Sequence, residues 1–312
     1  MRAQRPDLAI LVDFGDFNLP VIAPLLKRHG IPVVYYISPQ VWAWGRFRLR
    51  SIRRYVDRMI VFFPFEEAFY QREGIPVTWV GHPLMESVRP TMSREEALAH
   101  YGLNPWRLTV GLLPGSRSDE IRRHLPLMLA ATRRIAWDMP GIQLLLLKAP
   151  AIAQETLSAP LARAGLPAAP AAQAGVEVHI AEDSPYDALQ VMDAAVVASG
   201  TATLETALMG VPMAVVYRTS WPTYLAARMV LRIPHIALVN VIAGQEIVPE
   251  FVQHHARPER IAQSIVELLR NDERRAHMKE GLQQRVKNRL GEPGAVERAA
   301  DVVVKYLGRG EH

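Results

Sequence analysis

Two short stretches of this chain place small residues, hydroxyls and a charge where an apolar run gives way to a helical pattern. The first is Leu112-Leu113-Pro114-Gly115-Ser116-Arg117-Ser118-Asp119-Glu120. A Pro-Gly turn there delivers the backbone almost directly into a helix, whose unpaired N–H groups attract anions, and Arg117 adds a planar, permanent cation suited to phosphate. A plain capped turn, with Ser116 and Asp119 as a variant capping box, satisfies the same pattern. The second is Ala198-Ser199-Gly200-Thr201-Ala202-Thr203-Leu204-Glu205, which continues to Gly210-Val211-Pro212. Gly200 permits close approach to the backbone, and the hydroxyls of Ser199 and Thr201 can cap the helix or bind a pyrophosphate. Glu205 falls one helical turn later, within reach of a ribose, although an exposed glutamate there is commonly just solvated. Two anion-seeking turns in one domain fit a nucleotide diphosphate. Neither has the lysine of a P-loop or the spacing of a dinucleotide fingerprint.

Other polar residues close apolar runs elsewhere. Val12-Asp13-Phe14-Gly15-Asp16-Phe17-Asn18 ends the first strand-like run, which makes Asp13 a candidate general base, while Asp16 and Asn18 are expected to cap the helix that follows. Ser38-Pro39-Gln40-Val41-Trp42-Ala43-Trp44-Gly45 carries two tryptophans on a loop, either as local core or as contacts for sugar rings and acyl chains. Arg46, Arg48, Arg50, Arg53, Arg54 and Arg58 follow, as a solvated helix face or as a seat for lipid headgroups or a phosphorylated substrate. Asn240 to Glu246, with Pro249-Glu250, reads as a polar loop giving way to a helix, its amides and carboxylates free to position hydroxyls or to cap.

The elements that must hold these residues alternate between strand and helix. Strands are expected at Leu8–Val12, Pro32–Ile37, Val56–Phe63 and Val77–Val80, with helices at Leu19–His29 and Phe65–Glu73. A polar helical passage, Arg89–Asn104, leads to strands at Leu108–Leu113, Gln143–Leu147, Val176–Ile180, Ala194–Ala198 and Met213–Tyr217, with helices at Ile121–Asp138, Tyr186–Met192 and Ala202–Met209. Ala149–Gly175 is too rich in alanine and proline to assign, and the tail from Pro258 to Leu307 is helical and charged. Alternation of this kind gives an α/β fold with parallel sheets covered on both faces. We expect two Rossmann-like, doubly wound domains facing a cleft: residues 1–92, residues 93–283, and a final helical segment, 284–312, returning to the first domain. Ligands then belong at the carboxyl ends of the strands.

Composition narrows the function. The chain has 312 residues, of which 49% are apolar, enough for two cores, and its formal net charge is +5. The absence of cysteine excludes disulfides, thiolate chemistry and cysteine-based zinc sites. No secretory signal opens the sequence, and Ala194–Tyr217 is interrupted by Gly200, Glu205, Gly210 and Pro212, so a cytoplasmic protein touching a membrane surface is expected. No nucleic-acid-binding module accompanies the basic residues.

Taken together, these stretches resemble the lipid-A-disaccharide synthase family of GT-B glycosyltransferases, from Arg5 to about Gln253. Ser199-Gly200-Thr201 with Glu205, Gly210 and Pro212 is similar to many GT-B donor sites. Asp13-x-x-Asp16-Phe17-Asn18, Ser38-Pro39-x-Val41-Trp42-Ala43-Trp44, Phe63-Pro64-Phe65-Glu66, Gly81-His82-Pro83, Leu113-Pro114-Gly115-Ser116-Arg117, and Asn240 with Ala243-Gly244-x-Glu246 form a more specific set. The resemblance implies metal-independent, cofactor-free inverting transfer from UDP-2,3-diacylglucosamine to 2,3-diacylglucosamine 1-phosphate at the cytoplasmic face of the inner membrane. It implies Asp13 as base, and Gly115, Ser116, Arg117, Ser199, Gly200, Thr201, Glu205, Asn240 and Glu246 about UDP. It gives Trp42, Trp44, Arg46 and Arg48 a reason to meet the acceptor or lipid. Family members carry a strand with a Gly-Glu-x-Ser-Gly-Asp turn, two more strands and an apolar helix ahead of the segment that opens this chain. Leu8–Val12 is therefore expected at an unprotected sheet edge, with weak stability and little activity. A UDP-sugar 2-epimerase, another GT-B enzyme, or a UDP-sugar-binding remnant without activity are the competing readings; the epimerase leaves the Asp13–Asn18 and Ser38–Trp44 motifs unexplained.

Overall fold

The computed structural model describes residues 5–166, 177–221, 224 and 234–307. The chain forms two compact units, leaving the first after Ser87 and rejoining it at Asn288. Each unit is built on its own parallel sheet.

In the first unit, β1 (Ala9–Val12), β2 (Val33–Tyr36), β3 (Arg58–Val61) and β4 (Val77–Trp79) pair in sequence order. Val12 lies opposite Tyr36, and Tyr36 opposite Ile60, so the strands end level with one another. The β-branched and aromatic residues of β2 and β3 fill the centre, where near-continuous apolar runs are required because both faces are covered. Among the described residues β1 is an edge strand: Leu11 turns into the core while Ile10 and Val12 stay about half exposed. Leu19, Ala23 and Ile52, the last from α1 (Leu49–Tyr55), cover one face together with Tyr70 of α2 (Pro64–Arg72). On the other face, Val34, Ile60 and Val80 pack against Ala299 of the C-terminal helix Ala295–Leu307. The Glu86 carboxylate accepts from the N–H groups of Gly294 and Ala295 at 2.7 and 2.8 Å, which anchors that helix at its positive end. The helix expected at Leu19–His29 is a π-turn over Asn18–Ile22 running into a short α-helix, Ala23–Arg28. Pro20 and Pro24 lack the N–H groups that a regular ladder would use.

In the second unit the order is β10-β9-β8-β5-β6-β7, all parallel, with β5 (Thr109–Leu113), β6 (Gln143–Leu147), β7 (Val178–Ala181), β8 (Ala194–Ala198), β9 (Met213–Tyr217) and β10 (Glu250–Val252). The sheet grows outward through β6 and β7 on one side of β5, then resumes through β8, β9 and β10 on the other. That reversal opens a crevice at the carboxyl ends of β5 and β8. Every residue of those two central strands is buried. Helices α3 (Ser118–Asp138) and α4 (Thr201–Leu208) start from this end of the sheet, α5 (Leu238–Ala243) precedes β10, and α6 (Pro258–Arg270) packs along α3. Asn240 lies inside α5 rather than in the polar loop expected there, and Glu250 begins a three-residue strand rather than a helix. Part of the unassigned alanine-rich stretch forms the helix Glu155–Arg163, and residues 167–176 lie outside the described residues.

Candidate active site

The crevice at the carboxyl ends of β5, β6 and β8 is a cavity of about 450 Å³ within the second unit. Gly115, Ser116 and Arg117 form one wall; Ser199, Gly200, Thr201 and Glu205 form another. The two turns singled out in the sequence thus meet around one space. Gly115 stands at φ +119°, and a Cβ there would lie 2.6 Å from a Glu120 carboxylate oxygen, so the position admits glycine alone. Gly200 (φ 156°, ψ −162°) adopts a conformation reserved for glycine, and nothing lies within 4 Å of where its Cβ would be. A ligand can therefore rest against the backbone there.

The capping box of Ser116 and Asp119, the alternative reading of this turn, is not formed. Arg117 occupies the N-cap of α3 without a side-chain cap, and Asp119 pairs with Arg122. Glu120 takes over instead: it accepts from the Ser116 N–H at 3.0 Å and from the Arg117 guanidinium at 2.7 Å. One carboxylate, placed one residue further along, reaches back over the turn and gathers both donors.

Glu205 lies half-buried on α4, and its Oε1 accepts from the Tyr186 hydroxyl at 3.1 Å. Burial pushes its carboxyl above the usual range, with the tyrosine opposing. Lys148, which belongs to no motif of the sequence, follows β6 with its side chain only 11% exposed and its ammonium 3.4 Å from Glu182. Both line the cavity, as do Asp183 and Ser184. A lone lysine after an apolar strand has no local signature; only its place at the carboxyl end of β6 could have flagged it.

Asn240 and Glu246, also expected beside a nucleotide, line no part of this cavity. Asn240 is fully buried and its amide is saturated. It donates to the Val248 carbonyl and to Glu250, both at 2.8 Å, and accepts from the N–H groups of Ile247 and Val248. Glu250 in turn holds the N–H groups of Ile236 and Ala237, and the Ile236 carbonyl accepts from Ser199 at 3.3 Å. Asn240 therefore reaches the cavity only at second hand, through Ser199. Glu246 is exposed.

The remaining candidates belong to the first unit. Asp13 closes β1 with an exposed side chain. Asp13 and Phe14 both take left-handed backbone conformations, at φ 43° and 45°. Aspartate tolerates this region; phenylalanine is strained there by about 1–3 kcal/mol. The Asp13 carbonyl is clamped by the Tyr35 hydroxyl at 2.5 Å and the Asn18 amide at 2.8 Å, so the expected helix-capping role of Asn18 gives way to bracing the turn. Burial, the largest influence, pushes the Tyr35 hydroxyl up to about 12, keeping it a donor. Asp16, also expected as a cap, pairs with Arg48. Arg48 itself is buried, its guanidinium 4.2 Å from the Trp44 ring centre and 5.1 Å from that of Phe47, which removes it from the exposed basic face. Arg46 and Arg53 both bind Glu73, and Arg58 binds Thr78 and the Val77 carbonyl. Of the two tryptophans, Trp44 is 39% exposed, whereas the Trp42 ring nitrogen donates to Glu66 at 3.1 Å. Glu66 also accepts from the Phe63 N–H at 3.2 Å, and burial pushes it up to about 7. Ser38 and Tyr70 share a hydrogen bond of 2.6 Å. The Ser38–Trp44 and Phe63–Glu66 motifs are thus two halves of one bracket. The Gly81–Pro83 motif receives the returning chain: the His82 N–H donates to the Leu290 carbonyl, and burial pushes the His82 ring down to about 4.

A family model described as lipid-A-disaccharide synthetase matches residues 1–304. The chain belongs to the lipid-A-disaccharide synthase family. A lipid-A-disaccharide synthase of Geobacter sulfurreducens is 44% identical over 304 residues, covering 97% of this chain and 76% of that protein. One of Syntrophus aciditrophicus is 45% identical over 307 residues, covering 98% and 77%. Among solved structures, a UDP-GlcNAc 2-epimerase of Neisseria meningitidis bound to UDP-GlcNAc superposes with a TM-score of 0.62 at 13% identity, covering 97% of this chain and 78% of its own. A glycosyltransferase of Rickettsia africae gives 0.55 at 9% identity, covering 93% and 80%. At such identities the structural likeness shows the two-sheet fold of GT-B glycosyltransferases and epimerases, whereas membership of the synthase family, a family of glycosyltransferases, rests on the sequence relatives. No helix among the described residues is long and apolar enough to cross a membrane.

Proposed function

We propose that this member of the lipid-A-disaccharide synthase family joins UDP-2,3-diacylglucosamine to 2,3-diacylglucosamine 1-phosphate in a β-1,6 linkage and releases UDP. The observation that carries the reading is the meeting of the Pro114–Arg117 and Ser199–Thr201 turns around one cavity at the switch point of the second sheet. Donor diphosphate lies against the N–H groups of these turns and the Arg117 guanidinium, displacing Glu120 from its pairing. Glu205 meets the ribose. The acceptor 6-hydroxyl attacks the anomeric carbon as the bond to the UDP oxygen breaks, with inversion. Asp13 takes the hydroxyl proton, and the negative charge that develops on UDP falls on fixed donors and the Arg117 guanidinium.

The strained Asp13–Phe14 turn supports a functional role for Asp13, because such geometry persists where surrounding contacts hold it. Exposed Phe14, Phe17, Trp44 and Phe47, with Arg46 and Arg50 exposed nearby in the sequence, suit acyl chains and anionic headgroups on the cytoplasmic face of the inner membrane. Transfer measured with both lipid substrates tests the proposal. We expect Asp13→Asn to lower turnover by about 10²–10⁴-fold while leaving UDP affinity within about threefold. Equal loss of both would make Asp13 structural, and undiminished turnover would end its assignment as base.

A further inference from the structure

His124 is a polar side chain that no part of this mechanism uses. It lies on α3, two turns beyond the helix start, and is 2% exposed. Its Nδ1 is 3.2 Å from the Pro114 carbonyl oxygen and its Nε2 is 3.0 Å from the Arg218 backbone nitrogen. A carbonyl can only accept and a backbone N–H can only donate. The ring is therefore neutral, with its hydrogen on Nδ1. Burial acts in the same direction, pushing the imidazole below its usual range. A protonated ring would set two donors against each other at Arg218.

The consequence runs through one peptide bond. The Pro114 carbonyl and the Gly115 N–H belong to the same planar, trans unit, so they point in opposite directions. Drawing the carbonyl down onto buried His124 turns the Gly115 N–H away from α3, and Gly115 lines the cavity. At the other end of the imidazole, the backbone after β9 is itself braced. The Arg218 guanidinium donates to the Ala256 carbonyl at 2.6 Å, and the Thr219 backbone pairs with both ends of the Gln253 amide, at 2.9 and 3.1 Å. Gln253 is buried and held at φ 49°.

We propose that His124 is a positioning residue of the donor site: it aims the Gly115 N–H at the donor diphosphate by holding the Pro114 carbonyl against the braced backbone at Arg218. This rests on the reading of the cavity as the UDP site. It predicts that the two faces of the imidazole are unequal in function although both are buried hydrogen-bonding partners. Asparagine places an amide nitrogen where Nδ1 stands, keeping the donor to Pro114 and losing the acceptor for Arg218. Glutamine places an amide oxygen near Nε2, keeping the acceptor and losing the donor.

Calorimetric titration of the full chain with UDP, alongside thermal melts, tests this with His124→Asn and His124→Gln. Each variant strands one buried backbone group, so their melting temperatures should fall alike. UDP affinity should stay within about threefold of wild type in His124→Asn and weaken by about tenfold or more in His124→Gln. A His124→Gln protein that binds UDP as tightly as wild type overturns the proposal. So does equal weakening in both variants in step with their melting temperatures, which would mark a residue of general stability. Arg117→Ala separates this from the underlying reading: if it binds UDP as wild type does, the cavity is not the diphosphate site, whatever His124 does.

Discussion

Replacing Glu66 by Gln should change how the stability of this protein depends on pH. Glu66 is 3% exposed, and burial raises its carboxyl from 4.5 to about 7. A folded-state pKa above the unfolded one means that the native protein binds the extra proton between those values. Its contribution is present below about pH 4.5 and is lost as pH rises through about 7. At 1.36 kcal/mol per pH unit the whole span is about 3 kcal/mol, of which about 2.5 kcal/mol falls between pH 5 and pH 8. Glutamine is free of that burden but offers one oxygen, where the carboxyl has two, to the Trp42 and Phe63 N–H groups, at a cost of about 1–3 kcal/mol. The variant should thus be clearly weaker than wild type at pH 5 and close to it at pH 8. Urea denaturation followed by tryptophan fluorescence, with Trp42, Trp44 and Trp79 reporting on the first unit, reads this. All other titrating groups are common to both proteins and cancel in the difference. A difference that stays constant within about 0.5 kcal/mol from pH 5 to pH 8 would show that Glu66 keeps an ordinary pKa despite its burial.

Two further outcomes are expected. Arg117→Ala should weaken UDP binding by about 10–100-fold in titrations, with a smaller dependence on ionic strength than wild type, because it removes a charge-assisted contact from a side chain that is 79% exposed. Asn240→Ala should cost about 3 kcal/mol in denaturation experiments, since four hydrogen bonds converge on that buried amide, yet the folded protein should bind UDP within about threefold of wild type. A tenfold loss of affinity without loss of stability would place Asn240 at the ligand.

The central strands were legible because burial on both faces forces continuous apolar runs, and β6, β8 and β9 fall where the residues alone put them. Strand β10 was not, since three residues with one buried side chain carry no periodicity, and its pairing with β9 is a matter of the whole sheet. The two glycine turns announced themselves through residue type; that they share one cavity follows only from the sheet order. Long-range partners were the blind spot. Arg48 read as one of six arginines, but its burial depends on Trp44, Phe47 and Asp16. Asn240 drew its nucleotide role from the family resemblance, and its hydrogen bonds to Val248 and Glu250 could not be read from the sequence because they form only when α5 meets the start of β10. Glu120 was hidden behind Asp119, the residue at the conventional capping position, because a single step along a helix changes which carboxylate can fold back over its start.

The order in which the chain visits its two units constrains how the protein is made. Synthesis proceeds from the amino terminus, so every residue of the second unit leaves the ribosome before the helix that covers one face of the first sheet. Until Ala295–Leu307 emerges, Val34, Ile60 and Val80 lack the Ala299 side of their packing, and Glu86 has no helix to hold. The half begun earliest is completed last. Before Ala295–Leu307 emerges, the second unit can be complete while the first sheet is still open on one face, and that face is the surface a chaperone would have to guard.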